Sequence, residues 1–252
     1  MELREFFIKY PRVAIGFSGG VDSSFLLREA LLYAEDVRAY YVSTAFQPAF
    51  ELRDAVRTAE LLGTELTVLN LDILACEEVT ANPPDRCYYC KNRIFDAIRR
   101  RAAADGYSIL LDGTNASDDA ADRPGMRALK ELAVLSPLRI CGLTKEEIRK
   151  RSKEAGLFTW NKPAYACLAT RTPSGERLTS GILERTERAE SALSELGFCD
   201  FRVRHRQDTA LIEVTERQSH LLSDRRQEII SILRECGYRD VIFSSVPRRP
   251  SV

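Results

Sequence analysis

The segment Ser18-Gly-Gly-Val-Asp-Ser23 constrains this chain more than any other. It follows Val13 to Phe17, an apolar run that reads as a strand. It precedes Leu27, Ala30, Leu31 and Ala34, which fall at helical spacing. A glycine loop between a strand and a helix is an anion site. Gly19 and Gly20 let the backbone approach phosphate oxygens, and the helix start offers N–H groups and the positive end of its dipole. Ser18 and Ser23 add hydroxyl donors. Asp22 would repel phosphate directly, so it fits the loop by working through a magnesium ion or by stabilising the turn. The plain alternative is an ordinary strand-to-helix turn with Ser23 as a cap. The lysine and spacing of a Walker A loop are missing, which argues against γ-phosphate transfer.

Strand and helix signals alternate through the first 160 residues. Val37 to Thr44 and Leu66 to Leu71 read as strands, with Leu52, Ala55, Ala59 and Leu62 at helical spacing between them. A helix carrying Ile94, Ala97, Ile98 and Ala102 leads to a strand from Ser108 to Asp112. Thr144-Lys-Glu-Glu147 reads as a capping box that opens another helix. This alternation predicts an α/β fold, a parallel sheet with helices on both faces. After Lys162 the pattern changes. Pro163 to Arg177 holds two prolines, a glycine and few periodic signals. Beyond it come a helix (Ala189, Ala192, Leu193, Leu196), strands at Phe201 to Arg206 and Ala210 to Val214, a helix (Leu222, Ile229, Ile230, Leu233) and a strand near Val241 to Phe243. That is a small α+β domain. We place the boundary near Pro173, giving domains at 1–172 and 173–246 and a tail, 247–252, expected to be disordered.

Two further segments carry chemistry. Asp112-Gly-Thr-Asn115 ends a strand and is followed by Asp118 and Asp119; strand C-terminal ends are where open α/β sheets bind ligands, though the run also reads as a plain turn. Arg202-Val-Arg204 lies on one strand, and period-two alternation puts both guanidiniums on one face. They suit a phosphate or a second carboxylate, or else decorate a solvated face. Glu190 is a weaker candidate, since most helix glutamates are surface charge. His205 and His220 are single and do not read as ligands.

The seven cysteines are Cys76, Cys87, Cys90, Cys141, Cys167, Cys199 and Cys236. An odd number in a chain of 252 residues argues against a disulfide framework. Cys87-Tyr-Tyr-Cys90, entered through Asn82-Pro-Pro-Asp-Arg86, can chelate one metal or cluster. A redox dithiol and two core thiols are the alternatives. Cys167 sits in the irregular segment Trp160 to Arg171, where Trp, Pro, Cys and Arg171 together suggest a site, the alternative being a small buried hydrophobe. The other four read as buried hydrophobes. Three thiolates can hold three irons of a cubane and leave the fourth open.

Lys plus Arg and Asp plus Glu both number 37, so the formal charge is zero. That balance gives no support for non-specific nucleic-acid or membrane binding. The N-terminus shows no secretory pattern, and no run reaches the ~18 apolar residues of a membrane helix, so the expected setting is the cytoplasm.

The loop at Ser18 to Ser23 resembles the signature of the PP-loop ATPases, or N-type ATP pyrophosphatases. The resemblance implies that ATP is split between its α and β phosphates, that AMP passes to a carboxylate or carbonyl oxygen, and that pyrophosphate leaves. It implies a nucleotide site lined by Gly113, Thr114 and Asn115, with Ser43 against adenosine. Taken in order, Gly16 to Ser24, Asn82 to Lys91, Asp112 to Asn115 through Arg123-Pro-Gly125, Ser136-Pro-Leu138 and the Cys167 segment look like the LarE family. These are the ATP-dependent sulfur transferases of nickel-pincer nucleotide biosynthesis, the cofactor of lactate racemase. The resemblance runs from residue 10 to residue 245.

It implies pyridinium-3,5-biscarboxylic acid mononucleotide as substrate, activated as an acyl-adenylate by ATP and Mg2+ and converted to a thiocarboxylate. Asp22, Cys167 and Arg171 are the implied catalytic residues, and Arg202, Arg204 and Glu190 join the binding residues. In one version of the family a single cysteine, here Cys167, gives up its own sulfur and becomes dehydroalanine. In the other, three cysteines bind a 4Fe–4S cluster whose open iron carries a sulfide. Cys87, Cys90 and Cys167 match the second, with sulfide or another sulfur donor as partner. A homo-oligomer is also implied.

Three other readings stay open. A tRNA thiolase of the same superfamily also pairs this loop with three cysteines, but a neutral chain without a second Cys-x-x-Cys argues against it. An amide-forming ligase of the NAD synthetase kind needs no cysteine. A metal-binding interaction protein would require the loop to have decayed, and it is intact.

Overall fold

In the computed structural model, which describes residues 1–118 and 124–249, Val13 and Ile15 turn to one side of a strand and Ala14 to the other, all fully buried. A strand buried on both faces belongs inside a sheet covered on both sides. That sheet centres the first of two units, Met1–Ile73 with Asp85–Lys162; the second is Leu74–Pro84 with the chain from Pro163 on.

The first unit runs α1 (Leu3–Lys9), β1 (Arg12–Gly16), α2 (Val21–Tyr33), β2 (Asp36–Ser43), α3 (Ala49–Leu61) and β3 (Leu66–Asn70). The chain then makes an excursion that carries α4 (Glu77–Thr80) and belongs to the second unit. It returns with α5 (Arg86–Ala104), β4 (Leu110–Leu111), α6 (Pro124–Glu131), α7 (Pro137–Ile140) and α8 (Lys145–Glu154). All four strands are parallel, in the order β3-β2-β1-β4. Phe6, Phe25, Leu138 and Ile148 pack with Val13, Ile15, Ala39 and Tyr41 on one face. Phe95, Ile98 and Leu129 pack with Ala14, Tyr40 and Val42 on the other. Each Val, Leu, Ile or Phe among them contributes roughly 1.5–3 kcal/mol on burial. The α/β expectation, a parallel sheet with helices on both faces, therefore holds.

Strand order positions the site. From β1 the chain builds β2 and β3 outward on one side and later adds β4 on the other. The loops after β1 and β4 therefore open side by side at the C-terminal edge, a topological switch point where such sheets bind ligands. β4 is shorter than the expected strand. Past it, Asp112 N donates to Leu135 O at 2.9 Å, so the chain pairs with an isolated residue rather than a strand.

In the second unit β5 (Arg202–Arg206), β6 (Thr209–Glu213) and β7 (Asp240–Phe243) form one sheet, β5 antiparallel and β7 parallel to β6. Ala189 and Leu193 of α9 (Ser180–Glu195) and Ile229 and Leu233 of α11 (Arg226–Glu235) bury its inner face with Val203 and Ile212. The helix expected across Leu222 to Leu233 is two, α10 (Ser219–Asp224) and α11, because Arg225 leaves helical geometry at φ −110°, ψ 18°. The excursion is fastened by Asn82. Its side-chain amide donates to Pro173 O (2.7 Å) and Glu176 O (3.1 Å), and its carbonyl accepts from Gly175 N (2.8 Å). Within the tail, Arg248 N donates to Val214 O at 2.9 Å and its guanidinium meets Asp200; residues 250–252 lie outside the described residues. No helix among the described residues is long and apolar enough to cross a membrane.

Candidate active site

Residues 18–23 fold into a self-bonded loop between β1 and α2. Ser18 Oγ and Ser23 Oγ lie 3.0 Å apart, Ser23 Oγ donates to Gly20 O (3.2 Å), and Gly20 N donates to Ser18 Oγ (3.4 Å). Gly20 is the N-cap of α2 and no side chain caps the helix, so its first N–H groups face a ligand site rather than a carboxylate. Gly19 adopts φ +70°, and a Cβ there would stand 2.9 Å from Ala55 N. Gly113 brings the β4 loop equally close, since a Cβ would meet Ser23 N at 3.1 Å.

The two loops border a cavity of about 500 Å³. Ser18, Gly20, Asp22 and Ser23 line it from one side, Asp112, Gly113, Thr114 and Asp118 from another, and Cys87 and Lys91 from α5. Asp112 is buried and held by the Thr114 hydroxyl and by Ser136 Oγ (2.6 Å). Asn115 is buried behind the lining; its N–H donates to Asp118 Oδ2 (2.9 Å) and its Oδ1 accepts from Ser117 N (2.8 Å). Ser43 ends β2 at the same edge of the sheet but outside that lining. Asp119 and Arg123 lie outside the described residues.

Asp22 is the charged centre of the loop. Burial pushes its carboxyl up; Lys145 pulls it back, Asp118 adds to the rise and the Asn115 amide opposes it. Oδ2 sits 2.6 Å from Lys145 Nζ. Oδ1 is buried and makes no hydrogen bond of normal geometry among the described residues. On the far side of the loop Lys162 Nζ lies 2.5 Å from Asp54 Oδ2 and 3.5 Å from Gly19 O. Sequence reasoning did not single out Lys145, Lys91 or Lys162 as site residues. Lys145 had a signal: a cation in the first turn of a helix opposes the dipole and calls for an anionic partner.

Cys87 and Cys90 are the second and fifth residues of α5, three apart on one face, Cys87 exposed and Cys90 half-buried. Arg86 Nη2 reaches Cys87 Sγ at 3.9 Å.

In the second unit Cys167 is half-buried at the start of the 3-10 turn Leu168–Arg171. Arg171 is fully buried. Nε donates to Glu190 Oε1 (2.7 Å), Nη2 to Glu190 Oε2 (3.0 Å) and Nη1 to Ala166 O (3.0 Å) and Thr170 Oγ1 (2.9 Å). Glu190 also accepts from Val203 N (2.9 Å) and from the Tyr165 hydroxyl. Glu190 is thus no surface charge, and both residues are engaged within the unit, fixing the loop that carries Cys167. Burial works against the Arg171 charge, but Glu190 more than offsets it, and the Cys167 thiol lies within electrostatic reach. Arg202 and Arg204 share a strand face as expected. Arg204 donates to Glu213 Oε2 (3.0 Å) and Thr170 O (2.7 Å). Arg202 is half-buried, and burial together with the charges of Arg171, Arg204 and Arg248 pushes its pKa down. A guanidinium so placed calls for an anion. No group of three or more His, Cys, Asp or Glu side chains among the described residues is assembled to hold a metal ion.

No family model matches the chain. A Synechocystis protein is 39% identical over 218 residues, 86% of this chain and 81% of its own length. The pyridinium-3,5-bisthiocarboxylic acid mononucleotide synthase of Lactiplantibacillus plantarum is 34% identical over 207 residues, 81% of this chain and 75% of its own. The tRNA-specific 2-thiouridylase of Thermotoga petrophila is 25% identical over 193 residues, 60% of this chain and 54% of its own. With a phosphate loop at the switch point of a parallel sheet and a synthase relative matched over most of both lengths, the chain belongs to the LarE family of sulfurtransferases, within the PP-loop superfamily.

Proposed function

We propose that this enzyme uses ATP to adenylylate a carboxylate of pyridinium-3,5-biscarboxylic acid mononucleotide, releasing pyrophosphate, and then exchanges AMP for sulfur to give the thiocarboxylate needed for the nickel-pincer nucleotide. The observation that carries the reading is the Ser18–Ser23 loop at the β1/β4 switch point, opening on a cavity shared with Cys87 and Lys91. The loop amides and the start of α2 hold the departing pyrophosphate, and Lys91 offers positive charge to the α-phosphate. Thr114 and Asn115 shape the nucleotide side of the site and Ser43 the adenosine end. In the second unit Arg202 and Arg204 receive the acceptor's anionic groups, while Arg171 and Glu190 position Cys167.

Magnesium fits the chain, since Asp22 Oδ1 is a buried carboxylate oxygen that makes no hydrogen bond of normal geometry among the described residues. When bound, the ion neutralises the phosphates that leave. Cys87, Cys90 and Cys167 are the thiols that would hold a 4Fe–4S cluster, the first two lying three residues apart near the start of one helix. Such a cluster, when bound, supplies an open iron for the sulfide to be transferred, replenished from sulfide or another donor. Three exposed or half-buried thiols outside disulfides also suit a reducing cytoplasm.

A second reading is favoured by the Arg171 guanidinium, which holds the Ala166 carbonyl beside Cys167 and lies within electrostatic reach of its thiol. That sulfur attacks the acyl-adenylate and AMP leaves. Elimination across Cα–Cβ of Cys167 then releases the thiocarboxylate and leaves dehydroalanine. Mass spectrometry after one turnover separates the two: a mass loss equal to one hydrogen sulfide at Cys167 in iron-free protein supports the second, constant mass over many turnovers the first. The reaction as a whole is tested by its nucleotide products. AMP and pyrophosphate formed only with the dicarboxylated acceptor support it, and ADP overturns it.

A further inference from the structure

Lys145 is the first residue of α8, where a cation is disfavoured by the helix dipole, yet its side chain is largely buried against the phosphate loop. Its ammonium lies 2.6 Å from Asp22 Oδ2. Its backbone N–H donates to Ser117 Oγ (2.9 Å), and Ala116 N donates to Leu143 O (2.8 Å), so the start of α8 is also tied to the loop after β4. One residue therefore bridges both loops that border the cavity. The cavity's own lining carries three acids, Asp22, Asp112 and Asp118, against one base, Lys91. An anionic pocket repels a polyphosphate, and a buried carboxylate without a counter-charge is costly.

We propose that Lys145 is an exchangeable counter-cation of the nucleotide site: it neutralises Asp22 in the ligand-free enzyme, and is displaced onto the triphosphate when a magnesium ion arriving with ATP takes over Asp22. The exchange follows from charge. A divalent ion at Asp22 repels the ammonium, and the triphosphate entering the same cavity offers it an anion. The aliphatic stem of Lys145 provides the reach, and α8 anchors its base. Each state keeps Asp22 and Lys145 both compensated, so neither is left as an isolated charge in a largely buried place. The inference rests on the adenylylation reading for the step it serves, but concerns binding alone.

The test uses full-length protein and two probes: Mn2+ alone, followed by its paramagnetic resonance signal, and α,β-methylene-ATP with Mg2+, followed by calorimetry. Lys145→Met should bind Mn2+ alone about fivefold more tightly, because the competing ammonium is gone. The same variant should bind the magnesium–nucleotide complex roughly tenfold or more weakly, because the phosphates lose a cation. Lys145→Arg should keep nucleotide affinity within about threefold of wild type, charge rather than shape being what is needed. Unchanged nucleotide affinity in Lys145→Met overturns the proposal. So does a parallel loss of both affinities in the Met and Arg variants, the signature of a structural strut. A crystal structure of the wild-type enzyme with the analogue and Mg2+ decides without any variant: Nζ must have left Asp22 for a phosphate oxygen, and an ammonium still on Oδ2 refutes the exchange. Wild-type enzyme that shows the exchange yet releases ADP would sink the adenylylation reading and leave this one standing.

Discussion

Arg171 and Glu190 form a two-pronged ion pair inside the second unit, Nε to Oε1 at 2.7 Å and Nη2 to Oε2 at 3.0 Å, with side chains 1% and 6% exposed. Removing one member leaves the other as an uncompensated buried charge. Glu190→Gln should therefore destabilise the second unit by about 3–5 kcal/mol. Urea unfolding followed by a signal from that unit measures the loss, and a loss well below that range would mean that water reaches the pair.

Gly19 and Gly63 share a left-handed backbone, φ +70° and +66°, but not an environment. A Cβ at Gly19 would stand 2.9 Å from the backbone N of Ala55, whereas nothing lies within 4 Å at Gly63. Both alanine variants carry backbone strain, roughly 1–2 kcal/mol. Only Gly19→Ala must also push the phosphate loop off α3. Nucleotide affinity should fall by roughly tenfold or more in Gly19→Ala and hold in Gly63→Ala. Equal affinities would show that the loop tolerates the shift.

His205 is 3% exposed, and its Nδ1 has no hydrogen-bond partner among the described residues. Burial pushes its pKa down from 6.5; Glu176, 3.5 Å from Nε2, only partly opposes this. The unfolded chain then binds the proton more readily than the folded one. Its contribution to stability is complete above pH 6.5 and is lost as pH falls below 6.5 through the folded value. Wild-type protein should lose stability on acidification in that window with a slope of at most about 1.4 kcal/mol per pH unit from this group. His205→Gln should flatten that part of the slope. Parallel urea titrations at neutral and mildly acidic pH make the comparison; identical slopes would assign the acid sensitivity elsewhere.

For the cluster reading, anaerobic protein should carry about four irons per chain, and serine at Cys87, Cys90 or Cys167 should each remove them. Serine at the buried Cys236 should not, because that thiol packs in the second unit's core. Iron retained after Cys167→Ser would break the three-thiol assignment.

Much of the fold can be read from local sequence because its signals are local. The strand at Val13 and the capping box at Thr144 rest on spacing and short-range bonding, and Thr144 N does donate to Glu147 Oε2 at 2.8 Å. The candidate site was legible where glycines and hydroxyls mark a backbone able to approach phosphate. What escaped depends on partners far along the chain. β4 ends at Leu111, and the residues around it bridge to Leu135, outside any strand. Glu190 reads as a surface charge until Arg171 and Val203 N are found on its oxygens. Lys145 meets Asp22 across 123 positions, and only its awkward place at a helix start hinted at a partner.

The excursion at Leu74–Pro84 has a consequence for biosynthesis. This stretch emerges from the ribosome in the middle of the first unit, but the carbonyls that Asn82 binds belong to Pro173 and Glu176. Arg177, whose guanidinium grips Glu77 at 2.5 and 2.6 Å, is also synthesised much later. During translation the contacts of Asn82 and Glu77 with Pro173, Glu176 and Arg177 must therefore wait until the rest of the first unit has been made. A nascent chain halted before Pro173 would lack these contacts and be more open to a protease or a holding chaperone until Arg177 has been made.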